Sequence, residues 1–191
     1  MGIAAIAVLA IVVLAAVYAV MLYNGLVQLK HNVTRAWANI DVLLRQRHDE
    51  LPKLVETCKR YMQYEQETLA KVMEARSRVQ AAQASGDMRS LGQAEGGLRS
   101  TVGRLFALAE AYPELKANQT FQQLQTRISA LEDAIADRRE FYNESVNLNN
   151  IRIEQFPDTL IARRFGFKAA ELLEFTAPET ADVDIGSLFR S

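Results

Sequence analysis

An apolar stretch near the N-terminus has the length of a lipid bilayer. Over the twenty residues from Ile3 to Leu22, the hydroxyl of Tyr18 is the single polar side-chain group. A helix of this length spans about 30 Å of hydrocarbon and satisfies its own backbone hydrogen bonds there. A cleaved signal peptide is the alternative, but no Lys or Arg precedes the stretch, which is also longer than a usual signal core. We therefore predict a transmembrane anchor over residues 1–22.

The charges that follow the anchor indicate its orientation. Lys30 and Arg35 lie shortly after the apolar stretch, whereas only the α-amine lies before it. Because positively charged segments stay on the cytoplasmic side, we expect a single-pass protein of the cell membrane with a cytoplasmic C-terminal part. Two charges do not decide the matter alone, so the opposite orientation, with that part in the periplasm or outside the cell, stays open.

Beyond the anchor, apolar residues recur at alternating spacings of three and four, which is typical of helices packed along a seam. No turn signal separates the anchor from the first seam, so the anchor helix should continue through Leu22, Leu26, Leu29, Val33, Ala36, Ile40 and Leu43. We expect this helix to break near Asp49–Pro52, because proline lacks a backbone donor and disfavours helix in the residue before it. Asp49 would then cap a second helix.

Later breaks divide the rest of the chain. We expect the second helix to extend to Val79 and a glycine-rich mobile loop to follow over Ala82–Gly97. A third helix should run from about Leu98 to Ala111 and stop at Tyr112-Pro113. A fourth helix should begin at an Asn118 cap and end at Phe156-Pro157. Four amphipathic helices can bury their apolar stripes against one another. The prediction is an all-α fold in which the transmembrane helix continues into an elongated antiparallel four-helix bundle over residues 23–157.

The segments after the bundle have a weaker pattern. Residues 158–175 should form a short membrane-proximal helix or extension, with helix from Leu160 to Glu174. Residues 176–191 are acidic and few of them are aromatic, which predicts a flexible tail.

The chemistry-bearing residues form no recognisable catalytic set. With 22 Lys+Arg against 23 Asp+Glu, the chain lacks the basic footprint of a nucleic-acid-binding protein. Its two histidines, His31 and His48, have neither Glu-x-x-His nor H-E-x-x-H spacing, which disfavours a metal site. Cys58 falls on the second seam and should be a buried, inert thiol. We expect no enzymatic activity, no cofactor and no metal.

Two charged residues fall on seam positions where apolar side chains are expected. Glu65 lies on the second seam and Arg138 on the fourth, and a buried charge needs a partner or a route to water. We hypothesise an ion pair between Glu65 and Arg35. A device that fixes helix register, a functional polar pocket and plain surface exposure are the interpretations left open.

The C-terminal half of the fourth predicted helix is unusually polar. Its polar side chains are those of Tyr142, Asn143, Asn149 and Asn150. They indicate either a polar network that serves a partner or ordinary hydrogen bonds to neighbouring helices.

A basic and aromatic run follows this helix. Arg163, Arg164 and Lys168 accompany Phe165 and Phe167, and form a candidate patch for anionic lipid headgroups, at about 1 kcal/mol per cation. A solvated turn whose phenylalanines cap the bundle is the alternative. A second basic cluster, expected in a solvated turn at the far tip, consists of Arg45, Arg47 and His48.

Several short segments occur in a characteristic order between Leu22 and Phe175. They include Tyr23-Asn24, Arg35-Ala36-Trp37-Ala38, Ile40-Asp41, Asp49-Glu50-Leu51-Pro52, Tyr112-Pro113-Glu114-Leu115-Lys116-Ala117-Asn118, Arg138-Arg139, Tyr142-Asn143, Asn150 and Phe156-Pro157. In these segments and their spacing, the chain resembles the LemA family of bacterial membrane proteins. The resemblance implies a single-pass inner-membrane protein with a helical bundle and no established enzymatic activity. It also implies candidate partners, because some relatives are linked to membrane metalloproteases or to magnetosome building.

The expected function is that of a membrane-anchored, non-enzymatic scaffold or adaptor, whose partners are the lipid bilayer and an unidentified protein. The alternative is a regulatory or substrate-presenting partner of a membrane metalloprotease or envelope-stress system. A seam that extends from the anchor also permits a homo-oligomer. The candidate polar network or partner surface comprises Arg35, Asp41, Glu65, Arg138, Tyr142, Asn143 and Asn150.

Overall fold

The computed structural model describes residues 2–175, which form helices joined by short connections. The helices are α1 (Ile3–Lys59), α2 (Gln66–Ser85), α3 (Met88–Ala109), α4 (Pro113–Lys116), α5 (Gln119–Glu154) and α6 (Asp158–Phe165). The described residues contain no β-strand, so the predicted all-α class is confirmed. The predicted acidic tail over residues 176–191 lies outside the described part of the chain.

The N-terminal part of α1 is long and apolar enough to cross a membrane. None of its side chains from Ile3 to Met21 is buried, and Leu22 is the first that is. The packed part of the helix therefore begins where the apolar stretch ends, which is the distribution expected if lipid solvates that stretch.

Helix α1 continues through Pro52 to Lys59, so the predicted break at Asp49–Pro52 and the Asp49 cap are wrong. Proline at this position has no N–H for the carbonyl of His48, four residues earlier. Arg76 of α2 replaces that donor, because its Nε donates to the His48 carbonyl oxygen at 2.9 Å. The chain turns only after Lys59, and α2 begins at Gln66.

Helices α2 and α3 are joined by a tight connection, so the mobile loop predicted over Ala82–Gly97 is wrong. Gly86 ends α2 in the left-handed conformation, with φ of 71°. Asp87 then caps α3, since its Oδ1 accepts from the Arg89 N–H at 3.0 Å. Gly92 is helical and buried, and a Cβ there would lie 1.9 Å from the carbonyl oxygen of Glu174. This glycine permits close packing and does not mark a loop.

The later breaks follow the sequence signals. Helix α3 ends before Tyr112-Pro113, and Pro113 opens the short α4. Asn118 caps α5 as predicted, because its Oδ1 accepts from the Phe121 N–H at 3.0 Å. Helix α5 ends before Phe156-Pro157, which has a cis peptide bond. The predicted helix over Leu160–Glu174 is displaced, since α6 ends at Phe165 and residues 167–175 are not helical.

Tertiary contacts divide the chain into two compact units. Within the described residues, the first unit comprises residues 2–41 and Asp137–Leu172, and the second comprises Val42–Ala136 and residues 173–175. The core of the first unit includes Leu26, Ile40, Val146 and Ala162. The core of the second unit takes side chains from α1 to α5, among them Leu54, Leu69, Leu98, Leu115 and Ile128.

Candidate functional site

The polar half of α5 binds the non-helical segment that follows α6. Asn150 makes two hydrogen bonds with the main chain of Ala170: its Nδ2 donates to the carbonyl oxygen and its Oδ1 accepts from the N–H, each at 2.9 Å. Asn149 donates to the same Oδ1 at 3.2 Å. The Asn150 amide therefore pairs with this backbone as a neighbouring β-strand would.

Tyr142 binds the next residue of the same segment. Its hydroxyl donates to the carbonyl oxygen of Glu171 at 2.9 Å, and its ring lies edge-on to Trp37 with 5.9 Å between centroids. Burial raises the pKa of the Tyr142 hydroxyl, and the Glu171 charge raises it further. The phenol therefore keeps its proton and serves as a donor near neutral pH.

A groove of about 600 Å³ opens beside this segment in the first unit. Its aromatic wall is formed by Tyr23, whose ring centroid lies 4.9 Å from that of Phe165 and 5.8 Å from that of Phe167. The described residues that line it are Tyr23, Val27, Lys30, His31, Val33, Thr34, Asn149, Phe165, Gly166, Phe167, Lys168 and Ala170. The groove thus begins on α1 immediately after the apolar stretch.

The three cations of the predicted headgroup patch are all exposed. Lys168 lines the groove, whereas Arg163 and Arg164 lie in the last turn of α6 and outside the lining. The guanidinium of Arg164 lies 5.9 Å from the centroid of the Phe165 ring. Binding of lipid headgroups to this patch stays a prediction.

A buried ionic cluster lies in the second unit. Arg47 Nη2 donates to both carboxylate oxygens of Glu95 at 2.6 Å, and its Nη1 donates to Glu132 at 2.8 Å. The Arg47 and Glu95 side chains are each 1% exposed. Nearby, Glu50 accepts from Arg127 at 2.9 Å. Charge-assisted hydrogen bonds of this kind are shorter and stronger than those between neutral groups.

Burial and charge act against each other in this cluster. Desolvation opposes the charge of Arg47, but Glu95 and Glu132 outweigh it and raise the pKa of the guanidinium. Burial raises the pKa of the Glu95 carboxyl, and Arg47 works in the opposite direction. Arg47 Nε and Glu50 Oε2 are buried and have no hydrogen-bond partner among residues 2–175. We interpret the cluster as a structural element that fixes how the helices pack.

The sequence prediction of a solvated turn around Arg47 is wrong, because α1 continues past it. A signal for the cluster was present. Arg47 follows Ile40 and Leu44 at helical spacing and precedes Leu51 on the same buried face of α1. An opposite charge, Glu95, lies on the buried face of α3.

The predicted pair between Glu65 and Arg35 does not form among the described residues. Glu65 lies in the turn before α2 and accepts from the Tyr112 hydroxyl at 3.3 Å, whereas Arg35 is exposed on α1. The prediction failed because it placed Glu65 inside the second helix. Arg138 is also exposed, so its assignment to a seam is wrong.

Three further predicted positions have the following surroundings. Asp41 and Asn143 are half-buried. Cys58 is fully buried, and burial raises the pKa of its thiol to about 12, as expected of an inert packed cysteine.

Comparison with known proteins assigns the family. A sequence model of the LemA family matches residues 36–186. The chain belongs to the LemA family. The LemA protein of Metamycoplasma hominis is 27% identical over 165 residues, which are 86% of this chain and 74% of that protein. The family resemblance in the sequence is thereby confirmed.

Magnetosome proteins are also similar to this LemA-family chain. Magnetosome protein MamQ 2 of Paramagnetospirillum magneticum is 37% identical over 89 residues, 47% of this chain and 33% of that protein. MamQ of Magnetospirillum gryphiswaldense is 36% identical over 78 residues, 41% of this chain and 29% of that protein. The chain therefore spans about a third of the length of these relatives, and none of these names states a catalytic activity.

Proposed function

We propose that the chain is a membrane-anchored, non-enzymatic scaffold or adaptor. The observation that carries this proposal is the continuity of α1, which runs from the apolar stretch into helix that packs in the core of each unit. A continuous helix is stiffer than a flexible linker. The anchor would therefore hold a recognition surface at a set distance from the bilayer.

The packed helices supply that surface, in an arrangement that we propose to be an antiparallel four-helix bundle. On α5 in the first unit, Phe141, Leu148 and Ile151 are between 51% and 60% exposed. Their spacings of seven and three residues place them on one face of the helix. An exposed apolar stripe of this kind is typical of helices that dock onto a partner.

The proposed orientation has the helical body in the cytoplasm. Lys30 and Arg35 follow the apolar stretch, and Arg163, Arg164 and Lys168 belong to the same unit. Cations near a membrane are retained on the cytoplasmic side, where the lipid surface is negative.

Extraction of membranes with alkaline carbonate tests the anchor. The native chain should stay in the membrane pellet. The double variant Leu9→Arg/Val13→Arg should be released, because each arginine at the centre of a spanning helix costs about 2.5–3.5 kcal/mol of insertion free energy. Val42→Arg, at an exposed position of α1 outside the apolar stretch, is the matched control and should remain in the pellet. Release of the native chain would refute membrane anchoring.

Photo-crosslinking in native membranes tests the adaptor role. A photoreactive amino acid at Leu148 should capture a defined partner, whereas the same group at the neighbouring exposed Asn147 should not. Capture of a second copy would identify a homo-oligomer. Capture of a membrane metalloprotease would favour the regulatory or substrate-presenting role instead, and equal labelling at both positions would refute the stripe as a docking surface.

A further inference from the structure

The groove in the first unit combines unpaired cations with an aromatic wall. Lys30 and Lys168 line it and are exposed, and within residues 2–175 neither ammonium group is paired with a carboxylate. Among residues 2–175, the lining includes no Asp or Glu. Because no carboxylate in that part of the chain pairs with the two lysines, the groove favours an anionic ligand.

The groove is also amphipathic. Tyr23, Val27, Phe165 and Phe167 supply apolar surface, while Asn149, only 3% exposed, contributes a buried polar side chain. Its volume of about 600 Å³ falls in the range of sites that enclose small organic ligands. An inorganic anion would leave the apolar surface in contact with water, so the lining fits a ligand that joins an anionic group to a less polar body.

The position of the groove identifies such a ligand. Tyr23 is the residue directly after the apolar stretch, and the α1 lining extends from there to Thr34. At 1.5 Å per residue these positions cover about 16 Å of helix, starting at the level where acyl chains end and headgroups begin. Tyrosine is favoured at this boundary, and lysines reach phosphates there.

We propose that this groove binds the headgroup of an anionic phospholipid from the membrane in which α1 is anchored. The lipid phosphate lies at Lys30 and Lys168, and the glycerol and first acyl carbons lie against Tyr23, Phe165 and Phe167. The inference rests on the proposed membrane anchoring and adds a defined lipid site to it. Arg163 and Arg164 are outside this site and act on the bilayer surface only through their charge.

The test uses the full chain in nanodiscs of phosphatidylcholine that contain a minor fraction of a photoreactive phosphatidylglycerol. Labelling should concentrate in the peptides that contain Val27 and Phe167. Lys30→Gln/Lys168→Gln should lower this labelling at least about 25-fold, or about fivefold for each lysine, because each substitution removes a direct charge-assisted contact with the lipid phosphate in addition to a surface charge. A photoreactive phosphatidylcholine should label these peptides far less.

Arg163→Gln/Arg164→Gln is the matched control, since it removes the same charge from outside the lining. It should reduce labelling less than the lysine pair does, and equal losses would overturn the site in favour of diffuse surface charge. Displacement of the lipid by inorganic phosphate would identify a soluble anion as the ligand and would also overturn it. If the chain inserts into nanodiscs but labelling is not concentrated in these peptides, the lipid site in the groove is refuted and the membrane anchor is not. If the chain fails to insert, the membrane anchor is refuted as well.

Discussion

Replacement of Arg47 by methionine should destabilise the second unit strongly. Arg47 is the ion-pair partner of Glu95, and both side chains are 1% exposed, so the variant leaves a carboxylate buried without a counter-charge. Removal of one partner from a buried pair costs about 3–5 kcal/mol of unfolding free energy. Urea unfolding of the full chain in mild detergent, followed by far-ultraviolet circular dichroism, measures this loss.

The double variant Arg47→Met/Glu95→Leu separates the loss of a partner from the loss of packing. Apolar side chains of similar volume can replace a buried ion pair at little cost, so the double variant should be at least about 2 kcal/mol more stable than Arg47→Met. The Glu132 side chain is 14% exposed in the native structure, so we expect its carboxylate to be hydrated when Arg47 is absent. If the double variant is as unstable as the single one, the cluster does not act through charge pairing and the reasoning is wrong.

The pH dependence gives an independent check on the same variant. Burial already raises the pKa of Glu95, and loss of Arg47 removes the group that lowers it. A carboxyl with a raised pKa in the folded state binds its proton more tightly there than in the unfolded chain. It therefore stabilises the fold at pH values below the ordinary glutamate pKa, and this stabilisation is lost as the pH rises through the raised pKa. The difference in unfolding free energy between Arg47→Met and the double variant should therefore become smaller as the pH is lowered. A difference that grows on acidification would contradict a buried, unpaired Glu95 carboxylate.

Three further outcomes are expected. Gly92→Ala should lower the free energy of unfolding by about 1–3 kcal/mol, because the new Cβ would clash with the backbone of Glu174. Gly97→Ala, on the same helix with open space around it, should raise that free energy by up to about 1 kcal/mol. A higher free energy of unfolding in both variants would contradict the close approach at Gly92. Arg76→Met should lower the free energy of unfolding by about 1–2 kcal/mol, because the His48 carbonyl, which has no Pro52 N–H to accept from, loses its donor. Arg78→Met, which breaks an exposed ion pair, should lower it by less than about 0.5 kcal/mol in the same urea assay. Cys58, with a thiol pKa of about 12, should resist maleimide at neutral pH until the chain is unfolded, and equal rates in native and unfolded protein would refute its burial.

Local signals in the sequence predicted the features that local physics determines. Apolar periodicity predicted helices, and the stops at Pro113 and Pro157 and the cap at Asn118 are correct because each acts within a few residues of itself. Pro52 was misinterpreted because the donor that compensates for it, Arg76, lies on another helix. Gly92 was misinterpreted because its purpose is contact with Glu174, far away in the sequence.

The candidate sites show the same division. Tyr142 and Asn150 were recognised because several polar residues are concentrated on one helix, but their ligand, the main chain of residues 170 and 171, could not be deduced from the helix itself. The ionic cluster was missed because an expected break hid the helical spacing of Arg47. The groove was not predicted, since it requires residues from α1, α5, α6 and the segment after α6 to come together.

The contact between Asn150 and Ala170 involves only main-chain atoms of the non-helical segment after α6. This contact is therefore indifferent to which side chain occupies position 170, so the contact lets that position mutate as long as the backbone keeps its course and the groove that Ala170 lines stays open. Position 150 has no such freedom, because aspartate lacks the amide donor and glutamine carries its amide one methylene farther out. Within the LemA family, asparagine should accordingly persist at the position of Asn150 while its bound segment diverges in sequence.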